Sequence, residues 1–193
     1  MNIDQDLLNA CIKNDRKSQS KLYSLSFSSL MSIAYRYQKN RDDAAVLVNQ
    51  CFLKILKGLP TFTNSDAKRS YYSWTKKIMM NTIIDEFRKN GKAKEVIQSI
   101  ESSEYLEQLG DEEYNLIEKD IEEEALQDMI RQLSDIQKNV FNLFAIEGFS
   151  HKEIAEALTI SIANSKWHLS QARKALQGLL KIQLEKQNTI HHG

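Results

Sequence analysis

Apolar residues recur at steps of three and four along most of this chain of 193 residues, which is the spacing of one face of an α-helix. No stretch of the sequence shows the sustained apolar–polar alternation that indicates a half-buried strand. The pattern predicts helices over residues 4–13, 18–37, 42–58, 71–90 and 125–147, followed by a further pair. The sequence therefore predicts an all-α protein.

The further pair, within residues 149–180, has the features of a helix-turn-helix. Gly148 ends the preceding helix, and Ser150 with Glu153 forms an S-x-x-E capping box at the start of the next one. A tight turn at Thr159 and Ile160 follows, and Ser161 is a favourable N-cap for a longer second helix.

The second helix of this pair has two different faces. Its apolar face is formed by Ile162, Ser165, Leu169, Ala172, Leu176 and Leu179. Its opposite face carries Trp167, Ser170, Gln171 and Lys174, with Lys166 and Arg173 on one flank. A polar and basic helix supported by a short capped helix is typical of proteins that read the DNA major groove.

The distribution of charge changes the picture that composition alone suggests. Formal net charge is zero, which would argue against a nucleic-acid partner. However, residues 1–92 carry a net charge of +8, residues 93–128 a net charge of −11, and residues 129–193 a net charge of +3. We therefore expect two basic modules joined by an acidic linker. The linker could repel the phosphates of DNA, occupy a basic channel in a partner, or serve only as a solvated spacer.

Other classes of function have little support in the sequence. Cys11 and Cys51 form no C-x-x-C pair, and we expect reduced thiols. We find no glycine-rich phosphate loop and no metal-ligand or catalytic constellation, and therefore expect no cofactor, no metal, no small-molecule substrate and no enzyme activity. Without a long apolar window or a signal peptide, we expect a cytoplasmic protein that does not insert into membranes.

Basic and aromatic residues are interleaved through residues 68–92, at the start of the fourth predicted helix and along it. Cations hold a phosphate backbone while flat rings stack on bases, so this composition is typical of single-stranded nucleic-acid binding. An ordinary amphipathic helix with buried aromatic residues and a solvated basic face has the same composition. The composition alone leaves both interpretations open.

Three segments resemble bacterial RNA polymerase sigma factors of the sigma-70 family, and most closely the extracytoplasmic-function (ECF) group. Residues 73–89 read SWTKKIMMNTIIDEFRK, similar to the promoter-melting pattern F-x-x-W-L-x-x-I-A-x-N-x-x-x-D-x-x-R. Residues 42–55 read DDAAVLVNQCFLKI, similar to the polymerase-binding pattern D-A-E-D-L-V-Q-E-T-F-L-x-x-W. Residues 146–155 read IEGFSHKEIA, close to the C-terminal signature E-G-x-S-x-x-E-I-A. The resemblance covers nearly the whole chain, in the family's order.

The resemblance implies a domain organisation and a set of partners. It implies a four-helix sigma-2 domain over residues 1–92, an acidic linker over 93–124, a helix-turn-helix sigma-4 domain over 125–186, and a tail over 187–193. The implied partners are core RNA polymerase, promoter DNA and an anti-sigma factor. The promoter would be bound as duplex at the −35 element and as a single strand at the −10 element.

The third predicted helix would bind the largest subunit of the polymerase. The candidates at or beside this contact are Asp43, Leu47, Asn49, Gln50 and Phe52. Leu47 and Phe52 could equally well be internal core residues. Gln50 occupies a position at which the family usually has an acidic residue, so the electrostatic part of the contact is reduced.

The loop before the fourth helix, and the helix itself, would open and bind the −10 element. The candidates are Asn64, Lys68, Arg69, Tyr71, Trp74, Lys77, Asn81, Arg88 and Lys89. We expect Trp74 to pack under the loop and not to stack on a base. We expect Asp85 to order a neighbouring Arg or Lys and not to contact DNA.

The helix-turn-helix would read the −35 element. The candidates are Lys166, Trp167, Ser170, Gln171, Arg173 and Lys174. His168 and Gln171 occupy positions at which the family commonly has Arg, Trp167 replaces a small residue, and Thr159 occupies a turn position that is often Gly. These departures imply weaker electrostatic attraction and an altered −35 preference.

Two other functions fit parts of the sequence. A stand-alone helix-turn-helix regulator would bind duplex DNA without polymerase, but would have no need of the basic and aromatic fourth helix. A sigma-like interaction protein without promoter activity would fit the reduced basic charge of the second helix of the helix-turn-helix. Promoter-dependent transcription in a purified system distinguishes these functions from a sigma factor.

Overall fold

The computed structural model describes residues 3–62, 70–89 and 123–190, apart from the side chains of residues 123–124 and 184–190. The chain divides into two compact units, Met1–Glu86 and Phe87–Gly193. The described residues form helices α1 (Gln5–Ile12), α2 (Arg16–Tyr35), α3 (Arg41–Gly58), α4 (Tyr71–Lys89), α5 (Glu123–Arg131), α6 (Asp135–Phe141), α7 (His151–Leu158) and α8 (Ile162–Ile190). The predicted all-α fold is confirmed.

The helices of the first unit begin at polar N-caps. The carboxylate of Asp15 accepts a hydrogen bond from the backbone N–H of Ser18 at 2.8 Å, and Asn40 Oδ1 accepts one from Asp43 N–H at 2.8 Å. These caps satisfy backbone donors that have no partner within the helix. They explain why α2 begins at Arg16, two residues earlier than periodicity alone predicts.

Apolar residues from α2, α3 and α4 form the core of the first unit. The most deeply buried are Leu22, Leu30, Leu47, Val48, Ile55, Met79 and Ile83. Cys51 is also fully buried, and burial raises the pKa of its thiol to about 12. The thiol therefore remains protonated and packs as a small apolar group.

An aromatic cluster forms where α3 ends. The chain continues from Gly58 into a 3₁₀ turn, Leu59–Thr61, and the ring of Phe62 lies 4.6 Å from that of Trp74, centroid to centroid. A Cβ atom at Gly58 would lie only 2.9 Å from Cζ2 of Trp74. Gly58 has φ −86°, so it does not adopt a left-handed conformation. Glycine is favourable at this position because the absence of a side chain leaves space for the indole.

We expect Gly58→Ala to lower the free energy of unfolding. The added methyl group must displace the packed indole, which lowers the free energy of unfolding by about 1–3 kcal/mol. The better helix propensity of Ala raises it by about 0.5–1 kcal/mol. Urea unfolding should therefore show a net loss of about 1 kcal/mol. In a Trp74→Phe background, which lacks Cζ2, the same substitution should cost less; an equal cost in both backgrounds would show that the indole is not the obstacle.

The first helix predicted in the second unit is not continuous. The continuous helix predicted over residues 125–147 is broken into α5, α6 and a π-helical segment, Asn142–Ile146. Ser134 adopts φ −58° and ψ 153°, which leaves the helical region, and α6 begins at the next residue. A Ser-Asp pair is a typical helix start, so this break had a sequence signal that the apolar periodicity concealed.

Described helices extend into the predicted linker and tail. Helix α5 begins at Glu123, inside the predicted linker, and most of that linker lies outside the described residues. Helix α8 continues to Ile190, so residues 187–190 of the predicted tail are helical. The final residues, 191–193, are also outside the described part of the chain. The limits of the domains, the linker and the tail remain predictions.

Candidate nucleic-acid and protein interfaces

Helix α3 presents an exposed face of mixed chemistry. Asp43, Asn49 and Gln50 are exposed as predicted. Tyr23 Oη on α2 donates a hydrogen bond to Asn49 Oδ1 at 2.7 Å, which fixes the orientation of that amide. Because Asn49 Oδ1 faces Tyr23, the N–H₂ group of the same amide points away from Tyr23.

Two of the predicted contact residues on α3 belong to the core. Leu47 is 1% exposed and Phe52 is 7% exposed, and Tyr23 packs edge-on against Phe52 at 5.0 Å between ring centroids. These side chains can support the exposed face from beneath but do not form it, so of the two alternatives that the sequence left open the internal core position is the one found. The apolar part of the face comes instead from Val46, 55% exposed, and Leu53, 60% exposed, which sequence reasoning missed.

Helix α4 combines an internal aromatic end with an exposed polar face. Tyr71 is buried, its hydroxyl lies 3.1 Å from Ser26 Oγ, and burial raises its pKa to about 12. Trp74 is half-buried beside Tyr71 and Phe62. The direct DNA role predicted for Tyr71 is therefore corrected to a core role, because its ring and hydroxyl both face the interior.

The remaining described candidates on α4 are exposed. They are Lys77, Asn81, Arg88 and Lys89. At about 100° per residue, Lys77, Asn81 and Arg88 lie within about 40° of one another around the helix axis. Lys54 Nζ on α3 lies 2.8 Å from Asp85 Oδ2, which confirms that Asp85 orders a neighbouring cation. Asn64, Lys68 and Arg69 lie outside the described residues.

The helix-turn-helix is formed by α7 and α8. Ser150 and Glu153 make the complete predicted capping box, with Ser150 N–H donating to the Glu153 carboxylate at 2.8 Å. The Ser150 hydroxyl, which donates to the same carboxylate at 2.7 Å, and the Ser150 N–H together hold the pKa of Glu153 below its usual value. Ser161 Oγ accepts a hydrogen bond from Asn164 N–H at 3.0 Å and so caps α8, as predicted.

The turn between the two helices contains a strained residue. Thr159 adopts φ 59° and ψ 44°, the left-handed conformation that favours Gly and that β-branched residues rarely adopt. We expect Thr159→Gly to increase the free energy of unfolding by about 0.5–1 kcal/mol, since relief of about 1–2 kcal/mol of strain exceeds the entropy cost of Gly. Urea titration measures this change; Thr159→Ala is the control and should give a smaller gain, whereas a loss with Gly would contradict the assignment.

The faces of α8 agree in large part with the sequence analysis. Ser165, Leu169, Ala172 and Leu176 are buried, whereas Ile162 of the predicted apolar face is 48% exposed. Of the outward candidates, Lys166 and Lys174 are exposed, and the other four are half-buried: Trp167, Ser170, Gln171 and Arg173. The helix therefore presents cations at its surface with amide, hydroxyl and indole groups between them.

His168 occupies a buried position on α8. It is 2% exposed, and neither ring nitrogen has a hydrogen-bond partner among the described residues. Burial lowers the pKa of its imidazole to about 4, so the ring is neutral near pH 7. The site loses a positive charge at this position because the side chain is buried and neutral, which the sequence did not reveal.

Membrane spans and metal clusters are two further features that the described residues lack. No helix in this part of the chain is long and apolar enough to cross a membrane. Across residues 3–62, 70–89 and 123–190, no group of three or more His, Cys, Asp and Glu side chains could hold a metal ion.

Comparison with known proteins agrees with this geometry. Residues 22–93 match the family "Sigma-70 region 2", and residues 123–176 match "Sigma-70, region 4". RNA polymerase sigma factor SigV of Bacillus subtilis is 30% identical over 156 residues, covering 81% of this chain and 84% of SigV. The ECF RNA polymerase sigma-E factor of Haemophilus influenzae is 22% identical over 185 residues, covering 92% of this chain and 95% of that protein.

Two solved structures also align with the chain. The sigma factor RpoE, solved with the anti-sigma factor NepR from Bartonella quintana, has a TM-score of 0.46 and 21% identity, covering 84% of this chain and 96% of that one. CnrH, solved with the cytosolic domain of CnrY, has a TM-score of 0.43 and 19% identity, covering 93% and 97%. The two regional matches and the similarity to SigV are what identify the family. This chain belongs to the ECF group of the sigma-70 family of RNA polymerase sigma factors.

Proposed function

We propose that this sigma factor divides promoter recognition between two sets of helices. Helices α1–α4 bind core RNA polymerase and open the −10 element, and helices α5–α8 read the −35 element as duplex DNA. The observation that carries the proposal is the position of the region 4 match, which covers a helix-turn-helix with a complete capping box and exposed cations on α8. Such a helix suits the major groove in shape and charge.

The polymerase contact uses the exposed face of α3. Val46 and Leu53 are seven residues apart and therefore lie within about 20° of each other around the helix. Asn49 and Gln50 lie between them in the sequence and are exposed beside them. An exposed apolar pair flanked by polar groups is typical of protein-binding surfaces. The hydrogen bond from Tyr23 supports this use by fixing the amide of Asn49.

The −10 contact uses the exposed face of α4. Extrusion of bases from a duplex costs a few kcal/mol, and a protein without ATP can supply this only by binding the separated strand. Lys77, Asn81 and Arg88 form one exposed stripe that can follow a phosphate backbone, with Lys89 beside it. Trp74 and Tyr71 support the start of this helix from inside.

The −35 contact uses the outward side of α8. Gln171 can form a bidentate pair with adenine, whereas Lys166 and Lys174 suit guanine or phosphate. Arg173 is assigned to a phosphate. The neutral, buried state of His168 removes a charge from this surface, so we expect weaker binding to phosphate than in relatives with an arginine there.

Three broader expectations belong to the same proposal. The protein directs the catalysis of RNA polymerase and catalyses no reaction itself. It acts in the cytoplasm, where its polymerase is. An anti-sigma factor regulates it, which is an expectation that rests on the family resemblance.

The test of the −35 assignment compares a promoter that has an intact −35 element with one in which that element is scrambled. Holoenzyme made with Trp167→Ala or Gln171→Ala should lose about 1–3 kcal/mol of its preference for the intact element. Arg173→Ala, at the residue assigned to a phosphate, is the matched control, since loss of a phosphate contact should weaken both DNAs equally. An unchanged preference in both test variants would refute the assignment of the outward face.

A further inference from the structure

Four side chains from three elements of the second unit form a continuous chain of contacts. Arg173 Cζ lies over the ring of Phe144, 5.7 Å from its centroid. The same Phe144 ring stacks on the imidazole of His151, with centroids 4.7 Å apart and planes inclined by 24°. His151 Nδ1 and Ser165 Oγ share a hydrogen bond of 2.9 Å. The chain thus joins the π-helical segment, the start of α7 and helix α8.

The end of this series of contacts at Ser165 is held rigidly. Ser165 is fully buried and lies on α8, the same helix that carries Arg173. Its hydrogen bond fixes the orientation of the His151 imidazole, and the near-parallel imidazole covers one face of Phe144. A ring that packs against a fixed neighbour has few alternative rotamers, because close packing leaves little space for movement.

The other end of the series of contacts is Arg173, a cation whose conformation matters for binding. A guanidinium over an aromatic face gains roughly 0.5–1 kcal/mol at an exposed site, and this contact uses none of its five N–H donors. Arginine otherwise loses substantial rotamer entropy when it binds. A contact that orders the side chain before binding reduces this cost and so strengthens binding.

We propose that Phe144 is a positioning residue that holds the Arg173 guanidinium ready to bind a DNA phosphate, supported through His151 and Ser165. This inference rests on the proposed role of α8 at the −35 element. Phe144 itself makes no contact with DNA in this arrangement. It acts through Arg173, so its effect must disappear when Arg173 is removed.

The test is a double-mutant cycle on the affinity of holoenzyme for a promoter duplex recovered by reconstituted transcription. We expect Phe144→Leu to weaken binding about 3- to 5-fold, in the range that loss of a cation–π contact gives. Arg173→Ala should weaken it about 10-fold and lower the salt slope by about one. The double variant should bind no more than 2-fold more weakly than Arg173→Ala alone. An equal loss from Phe144→Leu in both backgrounds would overturn the positioning role.

Two controls separate positioning from general destabilisation. The same cycle with Lys174→Ala, an exposed cation on the same helix, should be additive, since Lys174 lies about 100° from Arg173 around the helix axis. Phe144→Leu should also leave the salt slope unchanged, because the charge that binds phosphate remains. If Arg173→Ala changes neither affinity nor salt slope, the phosphate contact itself is refuted; if only the coupling is absent, the DNA role stands and the positioning role fails.

Discussion

Replacement of Lys77, Arg88 and Lys89 by alanine is expected to abolish promoter opening by the holoenzyme while its affinity for core polymerase stays unchanged. All three cations are exposed on α4, and none lies on the exposed face of α3. Hydrogen bonds to charged groups contribute roughly 1.5 kcal/mol or more each, so loss of three phosphate contacts should reduce opening by on the order of 100-fold or more. Permanganate reactivity of unpaired thymines at the −10 element measures this.

A matched variant tests whether position, and not charge alone, causes the loss. Lys13, Lys17 and Lys21 are equally exposed, but they lie at the end of α1 and on the first half of α2. Their triple alanine variant removes the same charge and should retain normal permanganate reactivity. Retained reactivity in the α4 variant, or equal loss in both variants, would refute the proposed role of α4.

The double substitution Val46→Glu and Leu53→Glu is expected to abolish binding to core polymerase without unfolding the protein. Both side chains are more than half exposed, so the free energy of unfolding should change by no more than about 0.5 kcal/mol. At an interface, each change removes about 1.5–3 kcal/mol of apolar burial and adds an unpaired carboxylate. Competition binding should show a dissociation constant raised on the order of 1000-fold or more.

The control for this surface lies on the other unit. Ile182 on α8 is 51% exposed and lies outside the region 4 match, so Ile182→Glu makes a comparable apolar-to-charged change away from α3. It should leave polymerase affinity unchanged. If the double α3 variant binds core polymerase as well as Ile182→Glu does, the polymerase surface lies elsewhere.

The sequence was sufficient for the helices but not for every boundary. Periodic apolar residues, together with the cap at Ser150, located most helices to within about two residues, whereas the caps at Asp15 and Asn40 were recognised only in the structure. The break at Ser134 was missed because the apolar residues on its two sides keep a helical spacing across it. Local cap signals compete with periodicity, and at this position the cap signal was the better guide.

The sequence was less reliable for which candidates reach the surface. Helix α3 carries apolar residues around much of its circumference, and periodicity does not say which of them the neighbouring helices cover. Packing buries Leu47 and Phe52 and leaves Val46 and Leu53 exposed. The same reason applies to Tyr71, whose hydroxyl lies against Ser26, a residue distant in the sequence. The pattern along one helix predicts which side of it is apolar. The contacts with neighbouring helices decide how much of that side is buried.

The most direct test of the central claim is transcription by the full chain with purified core polymerase, with sequencing of the 5′ ends of the RNA. The account requires that adding the chain produces a limited set of defined start sites, each preceded by two spaced elements at −10 and −35. RNA without defined starts above the level of core polymerase alone, or specific binding of duplex DNA without polymerase, would contradict it.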